Sequence, residues 1–138
     1  MRVNACCLLL CVLNVVLCGC TGKSSSGSTA HLQGKVTLNG AELAAGTKGS
    51  IVFQPVGQGQ ARSTSAVVIS GKYDSPNTPR GAVKVIFSLE KPTGRTIQSE
   101  RSPTPYEEME NIVPGKYAGG IDLEVSDDND AQNFDLAE

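Results

Sequence analysis

The chain has 138 residues, a formal net charge of -2 and a single histidine, so nothing in its charge suggests a nucleic-acid-binding protein. A catalytic zinc site is built from about three protein ligands, usually including more than one histidine, so a zinc hydrolase is also disfavoured. The 15 glycines and 7 prolines suit one turn-rich β domain better than a helical one.

The first 20 residues have the three parts of a secretory signal sequence. Arg2 and the free amino terminus supply positive charge, and an apolar segment follows over residues 5–17. This segment is interrupted by Asn14 and is shorter than the roughly 20 residues that a membrane-spanning helix needs. We therefore predict a signal peptide over residues 1–19 rather than a permanent membrane anchor.

The apolar segment ends in Leu17-Cys18-Gly19-Cys20, which resembles the lipobox of bacterial lipoproteins. In that family the cysteine thiol receives diacylglycerol and a peptidase cuts just before it, so the resemblance implies lipidation at Cys20. All five cysteines lie at or before this position, so the processed domain has no disulfide. The alternative is an ordinary signal peptide with a chance cysteine near its end.

Lipidation at Cys20 makes the membrane a predicted partner, reached through acyl chains. The expected location is the cell envelope. Thr21, rather than an aspartate, follows the cysteine, which by the sorting rule of some bacteria indicates the outer membrane, on its periplasmic or surface face. The Ser/Gly-rich stretch of residues 20–31 predicts a flexible tether between the lipidated cysteine and the domain.

Residues 32–138 read as one domain of short strands separated by turn signals. The apolar alternation is clearest in the segment of residues 82–89, and Asn39-Gly40 is a strong hairpin signal. About seven strands in this arrangement predict an all-β fold, a β-sandwich. The predicted strands cover residues 32–38, 50–54, 64–69, 72–73, 82–89, 121–125 and 133–136.

Residues 91–120 are predicted to form a long crossover containing one short helix. Thr104 followed by Pro105 and Glu107 has helix-start chemistry, and Tyr106 and Met109 would share one face at helical spacing.

Loops of this length are uncommon unless they are functional or disordered, so we predict the crossover as an interaction surface. Its candidate binding residues are Arg95, Arg101, Tyr106, Glu107, Glu108 and Met109. The alternative is that Tyr106 and Met109 only cover one end of the sandwich.

An acidic turn near the carboxyl terminus is a weak candidate for calcium. Its carboxylates belong to Asp127, Asp128 and Asp130, and calcium prefers several oxygen ligands. The spacing does not match an EF-hand loop, and a charged turn that guards a sheet edge is the alternative. We predict no other metal site, no cofactor and no catalytic residue.

Several segments in consistent order resemble the carboxypeptidase-regulatory-like domain of small bacterial lipoproteins. They are Gly34-Lys35-Val36-Thr37-Leu38-Asn39-Gly40, Ile51-Val52-Phe53-Gln54-Pro55, Ser70-Gly71-Lys72-Tyr73, Pro79-Arg80-Gly81-Ala82-Val83-Lys84-Val85, Val113-Pro114-Gly115-Lys116-Tyr117 and Asn133-Phe134-Asp135-Leu136. The resemblance implies a transthyretin-like or immunoglobulin-like β-sandwich of secreted proteins. It implies no activity, because one fold hosts many functions.

These features lead us to expect a non-enzymatic cell-envelope lipoprotein that acts as a structural or protein-interaction module. The alternative is a ligand-binding module, for carbohydrate or peptide, that serves an envelope enzyme. The expected partners are therefore the membrane and an envelope protein or glycan.

Overall fold

A computed structural model describes residues 28–57, 62–99 and 104–138. The signal peptide, Cys20 and most of the predicted tether therefore lie outside the described residues. Within them the secondary structure is nine strands and one 3-10 turn. The elements are β1 (Thr29–Leu38), β2 (Ala41–Glu42), β3 (Lys48–Pro55), β4 (Thr64–Ile69), β5 (Lys72–Pro79), β6 (Gly81–Ile97), β7 (Tyr106–Asn111), the 3-10 turn (Gly115–Tyr117), β8 (Ile121–Val125) and β9 (Phe134–Asp135).

The strands form a continuous hydrogen-bonded sheet in the order β2-β1-β5-β4-β3-β6-β7, with β8 also paired to β6 and β9 to β1. All neighbours are antiparallel except β1 and β9, which are parallel. Side chains from both the β8 and the β9 ends of the sheet enter the same core. The predicted all-β sandwich class is thus confirmed, with nine described strands instead of about seven.

Strand β6 is the longest element and has neighbours along both edges. One edge pairs with β3 from Val83 to Glu90. The other edge pairs first with β8, over residues 81–85, and then with β7 from Glu90 onwards. Since β6 is shared by three other strands, it sets the long axis of the domain.

Four aromatic rings occupy the middle of the core. Phe53 of β3 lies 6.0 Å from the Tyr73 ring, which in turn lies 5.8 Å from that of Phe134. Phe134 also meets Phe87 edge-on at 5.3 Å. All three phenylalanines of the chain are in this cluster, so the few aromatic residues serve packing across β3, β5, β6 and β9.

The turns form where the sequence predicts them. Asn39 and Gly40 both have positive φ, 52° and 73°, which is the conformation of the tight hairpin turn between β1 and β2. Ser70 and Gly71, with φ of 50° and 73°, make the same type of connection between β4 and β5.

The predicted helix in the crossover is wrong. Residues 106–111 form strand β7, which pairs with the second half of β6. A helix of one or two turns is unstable in water without tertiary packing, whereas β6 offers pairing partners at residues 90–92 and 96–97. In a strand, Tyr106 and Met109 lie on opposite faces, and Tyr106 is 51% exposed. They therefore do not form the predicted cover over the sandwich.

Other predicted boundaries also shift. Strand β1 begins at Thr29 rather than Leu32, because Ala30 is buried in the core and pairs with Thr78 of β5. The tether predicted up to residue 31 is therefore shorter. Strand β5 continues to Pro79 through the predicted loop, since Ser75 and Thr78 are fully buried and their hydroxyls hydrogen-bond each other at 2.7 Å.

Candidate functional site

The second half of β6 and strand β7 form the β6–β7 hairpin, which we define as residues 91–97 and 106–111. Pairing between β6 and β3 ends at Glu90 with Lys48, whereas pairing with β7 continues to Ile97 with Tyr106. Among the described strands, β7 is the only neighbour of β6 beyond Glu90. The hairpin therefore extends past the body of the sheet as a two-stranded ribbon.

A bulge in β6 shapes this hairpin. Three residues, 93–95, face the single residue Glu108, and Gly94 has a φ of +77° that favours glycine. The Glu108 carboxylate accepts hydrogen bonds from the Thr93 hydroxyl at 2.8 Å and from Arg95 Nε at 2.7 Å. Glu108 and Arg95, both predicted as binding residues, are therefore brought together, and they hold the bulge.

A groove of about 560 Å³ lies along the hairpin at this bulge. It is lined by Lys91, Pro92, Thr93, Arg95, Glu108, Met109 and Glu110. Its charged groups are paired with each other, since Lys91 Nζ also lies 3.4 Å from Glu110 Oε2. The charged side chains that line the groove therefore already have ion-pair partners within the hairpin.

The end of the hairpin exposes an apolar pair. Ile97 and Tyr106 lie opposite each other in the ladder, with 36% and 51% of their surfaces exposed. Of the other predicted binding residues, Glu107 is exposed, Met109 is half-buried, and Arg101 lies outside the described residues. The described candidate residues thus lie on a strand pair instead of a helix, and their role in binding stays a prediction.

At the opposite end of β6, Arg80 contacts the first described residues of the chain, where the predicted tether would enter the domain. Its backbone N–H donates to Ser28 O at 3.1 Å, and its Nε donates to Thr29 O at 3.0 Å. Its guanidinium also donates to Ser126 O and lies 2.9 Å from Asp127 Oδ1. We call this arrangement the tether exit.

The acidic turn is already occupied by groups of the chain itself. Asp127 pairs with Arg80, and Asp128 Oδ1 accepts the His31 N–H at 2.9 Å and lies 3.6 Å from Arg80. No cluster of three potential metal-ligating side chains occurs among the described residues. Two of the three predicted calcium ligands, Asp127 and Asp128, act as partners of Arg80 and of the β1 backbone.

His31, the single histidine of the chain, is half-buried in β1. Its Nε2 lies 2.6 Å from Asp74 Oδ1 and 2.9 Å from Gln33 Nε2. None of its described hydrogen bonds involves a serine hydroxyl. The described contacts of the His–Asp pair therefore include no serine nucleophile of the kind a hydrolytic triad uses.

Tyr73 is a packed core ring whose hydroxyl is hydrogen-bonded. Its side chain is buried, its hydroxyl donates to Gln132 O at 2.7 Å, and burial raises its pKa above the ordinary tyrosine value. The contact fastens the carboxyl-terminal segment over β5. Tyr73 is therefore a core residue and not a binding aromatic.

The carboxyl-terminal segment is also held at the β1–β2 turn. Asp135 Oδ1 accepts the Gly40 N–H and the Thr37 hydroxyl, both at 2.8 Å. The hydrogen bond from Gly40, followed by the one from Thr37, lowers the pKa of the Asp135 carboxyl. The charged carboxylate is thus favoured by the folded arrangement, although it is fully exposed.

Across the described residues, no helix has the length and apolar content needed to cross a bilayer. Comparison with protein-family models, with curated proteins and with solved structures finds nothing that matches this chain.

Proposed function

We propose that this chain is a non-enzymatic cell-envelope lipoprotein, anchored by acyl chains on Cys20, that presents the β6–β7 hairpin to a partner protein. The lipobox-like segment and the order of segments resembling a carboxypeptidase-regulatory-like domain support the anchoring and the secreted location. The outer membrane is the proposed site of anchoring.

One observation carries the proposal, namely the opposite placement of the tether exit and the hairpin end. β6 starts at Gly81, next to Arg80, and ends at Ile97. Its 17 residues correspond to about 50 Å of strand. The chain from Cys20 to Ser28 reaches at most about 30 Å, so the tether keeps the Gly81 end near the bilayer. The apolar pair then lies at the end of the domain furthest from its anchor.

This placement favours a protein partner over insertion of the hairpin into the anchoring membrane. Ile97 and Tyr106 form a small exposed apolar site with Arg95 and Glu108 beside it. Aromatic and apolar residues surrounded by polar groups are typical of protein interfaces.

The groove at the bulge is the observation that favours the alternative, a carbohydrate- or peptide-binding accessory module. Its lining charges already pair within the hairpin, and residues 91–97 and 106–111 offer a single aromatic side chain, Tyr106, for stacking on a sugar. Both features favour the protein-interaction module. Saturable binding on a glycan panel would instead favour the carbohydrate-binding module over the protein-interaction module.

The anchor is tested by Cys20→Ser, with Cys18→Ser as the matched control. Loss of the thiol at position 20 should abolish labelling by radioactive fatty acid, since no thioether can form. Cys18→Ser keeps a small residue and should label normally. Fatty-acid labelling that persists in Cys20→Ser contradicts the lipoprotein proposal.

The interaction surface is tested by the double variant Ile97→Ser/Tyr106→Ser in a crosslinking pull-down from envelope extracts. Its melting temperature should stay near that of the unaltered chain, because both side chains are exposed, while recovery of the partner is lost. Val67→Ser/Ile69→Ser is the control, since those two side chains are 65% and 70% exposed on the outer face of β4. Equal partner recovery by both double variants would show that the hairpin is not the interface.

A further inference from the structure

The hairpin has one strand edge that nothing in the described structure covers. β7 pairs with β6 along one edge, and no described strand lies along the other. The Ile112 N–H donates to Leu89 O at 3.0 Å, so residue 112 faces β6. Because strand residues alternate, the backbone groups of Glu107, Met109 and Asn111 face the open edge.

The opposite edge of the ribbon is unsuitable for pairing with another strand. Pro92 lies just beyond the last β3 pair and has no backbone N–H to offer on that side. The bulge at residues 93–95 then breaks the regular spacing of the β6 backbone. β7, in contrast, has six regular residues without proline. The open β7 edge is therefore the better template.

Charge indicates what kind of strand fits this edge. Glu108 and Glu110 are neutralised within the hairpin by Arg95 and Lys91. Glu107 is exposed and forms no ion pair with any described residue. It lies next to Tyr106, on the other face of β7. An incoming strand therefore meets an unbalanced negative charge beside an exposed aromatic ring.

A second copy of the chain fits this edge poorly. Only residues whose backbone groups face the open edge can pair across it, so Glu107 of one copy would lie opposite Glu107, Met109 or Asn111 of the other. None of these residues is basic, and two glutamates directly opposite each other are destabilising in a sheet. A different strand with a basic residue at this position balances the Glu107 charge.

We propose that β7 accepts an extended segment of the partner protein as an added antiparallel strand, with a basic residue opposite Glu107 and an apolar residue opposite Tyr106. This inference rests on the proposed function and specifies its partner. Main-chain hydrogen bonds supply affinity in this mode of recognition, and the side chains at alternate positions supply specificity. Because the two strands run in opposite directions, the basic residue immediately precedes the apolar one in the partner sequence.

The test uses the full chain in detergent and the end-blocked peptide Thr-Thr-Thr-Thr-Lys-Val. Saturable binding is expected, with the largest amide chemical-shift changes at Glu107, Met109 and Asn111. Replacing the peptide lysine by glutamate should weaken binding by about fivefold or more, as expected for exchanging an ion pair for a repulsion. N-methylation of the peptide backbone on the edge that faces β7 should abolish binding, although the peptide charge is unchanged.

Variants of the protein itself test the open β7 edge independently of changes in the peptide. Met109→Pro removes a backbone N–H that faces outwards and leaves the β6–β7 hydrogen bonds in place, so it should abolish binding. Met109→Ala shortens the same side chain and should bind within about threefold of the unaltered chain. If Met109→Pro fails to fold, the N-methylated peptide decides the question on the unaltered protein.

Equal binding of the N-methylated and unmethylated peptides overturns the strand-addition proposal, as does the absence of saturable binding. Concentration-dependent dimers that Met109→Pro abolishes also overturn it, because they identify a second copy as the occupant. In these cases the proposed function still stands if Ile97→Ser/Tyr106→Ser loses the partner in the pull-down. If that double variant retains the partner, the proposed function itself fails.

Discussion

Truncation of Phe134 tests whether the short β9 strand is part of the main core. Phe134 is 5% exposed and contacts the rings of Tyr73 and Phe87. Phe134→Ala should lower the free energy of unfolding by about 3–5 kcal/mol, the usual cost of removing a buried phenylalanine ring. Phe134→Leu keeps most of the apolar volume and loses chiefly two ring contacts of about 0.5–1.5 kcal/mol each, so it should cost about 1–3 kcal/mol.

Urea denaturation of the chain from Thr21 onwards measures these differences. The slope of unfolding free energy against urea should stay constant, because the variants expose nearly the same surface when they unfold. Val67→Ala is the surface control, since that side chain is 65% exposed, and it should change stability by no more than about 0.5 kcal/mol. A loss below about 1 kcal/mol in Phe134→Ala would refute the assignment of β9 to the core.

Three further substitutions test other contacts. Gly34→Ala should unfold the chain or lower its melting temperature sharply, because the added methyl group collides with Gln132 O; an unchanged temperature contradicts that close approach. Tyr73→Phe should cost about 1–3 kcal/mol in urea denaturation by leaving the Gln132 carbonyl without its donor, and a neutral result would show that water replaces the hydroxyl. Asp135→Asn should lower the melting temperature at neutral pH, because the folded state lowers the pKa of this carboxyl through Gly40. The difference between Asp135→Asn and the unaltered chain should be complete above the unfolded carboxyl pKa of about 4 and vanish as pH falls through the lower folded value; a difference independent of pH contradicts the charge effect.

The parts of the fold that local sequence determines were predicted well. Val83, Val85, Phe87 and Leu89 alternate with less apolar residues, and all four are buried in the core. The Asn39-Gly40 turn was also correct, because few residue pairs tolerate two successive positive φ values.

The errors occurred where a distant strand decides the conformation. The residues of β7 include good helix formers and follow a proline, so their local preference is helical. Their actual partner is β6, whose second half carries Pro92 and Gly94 and therefore does not read as a strand. Neither segment has a strong strand propensity, so neither sequence alone indicates that the two pair as a hairpin.

Contacts around the candidate site were unpredictable for the same reason. Arg80 stands alone between two strands, and its partners lie about fifty residues away, at Thr29 and at residues 126–128. Nothing in the neighbouring sequence indicates that Arg80 would join both segments. The sequence likewise did not indicate that His31 contacts Asp74, because the two residues come together only through the pairing of β1 with β5. The candidate interaction residues were selected for their composition, and the helical geometry predicted for them was wrong.

The position of β1 has a mechanical consequence for an anchored protein. β1 pairs with β5 on one edge, and on the other with β9 and with the backbone around Asn129. It runs in the same direction as β6, since four antiparallel pairings connect the two strands through β5, β4 and β3. If the tether is pulled at Ser28 while a partner holds the far end of β6, the force acts along the axis of β1. Hydrogen bonds on both edges of β1 then bear the load simultaneously, in shear, instead of opening one after another. Under the proposed anchoring through Cys20, the strand that follows the tether is therefore the one that resists extraction from the sheet.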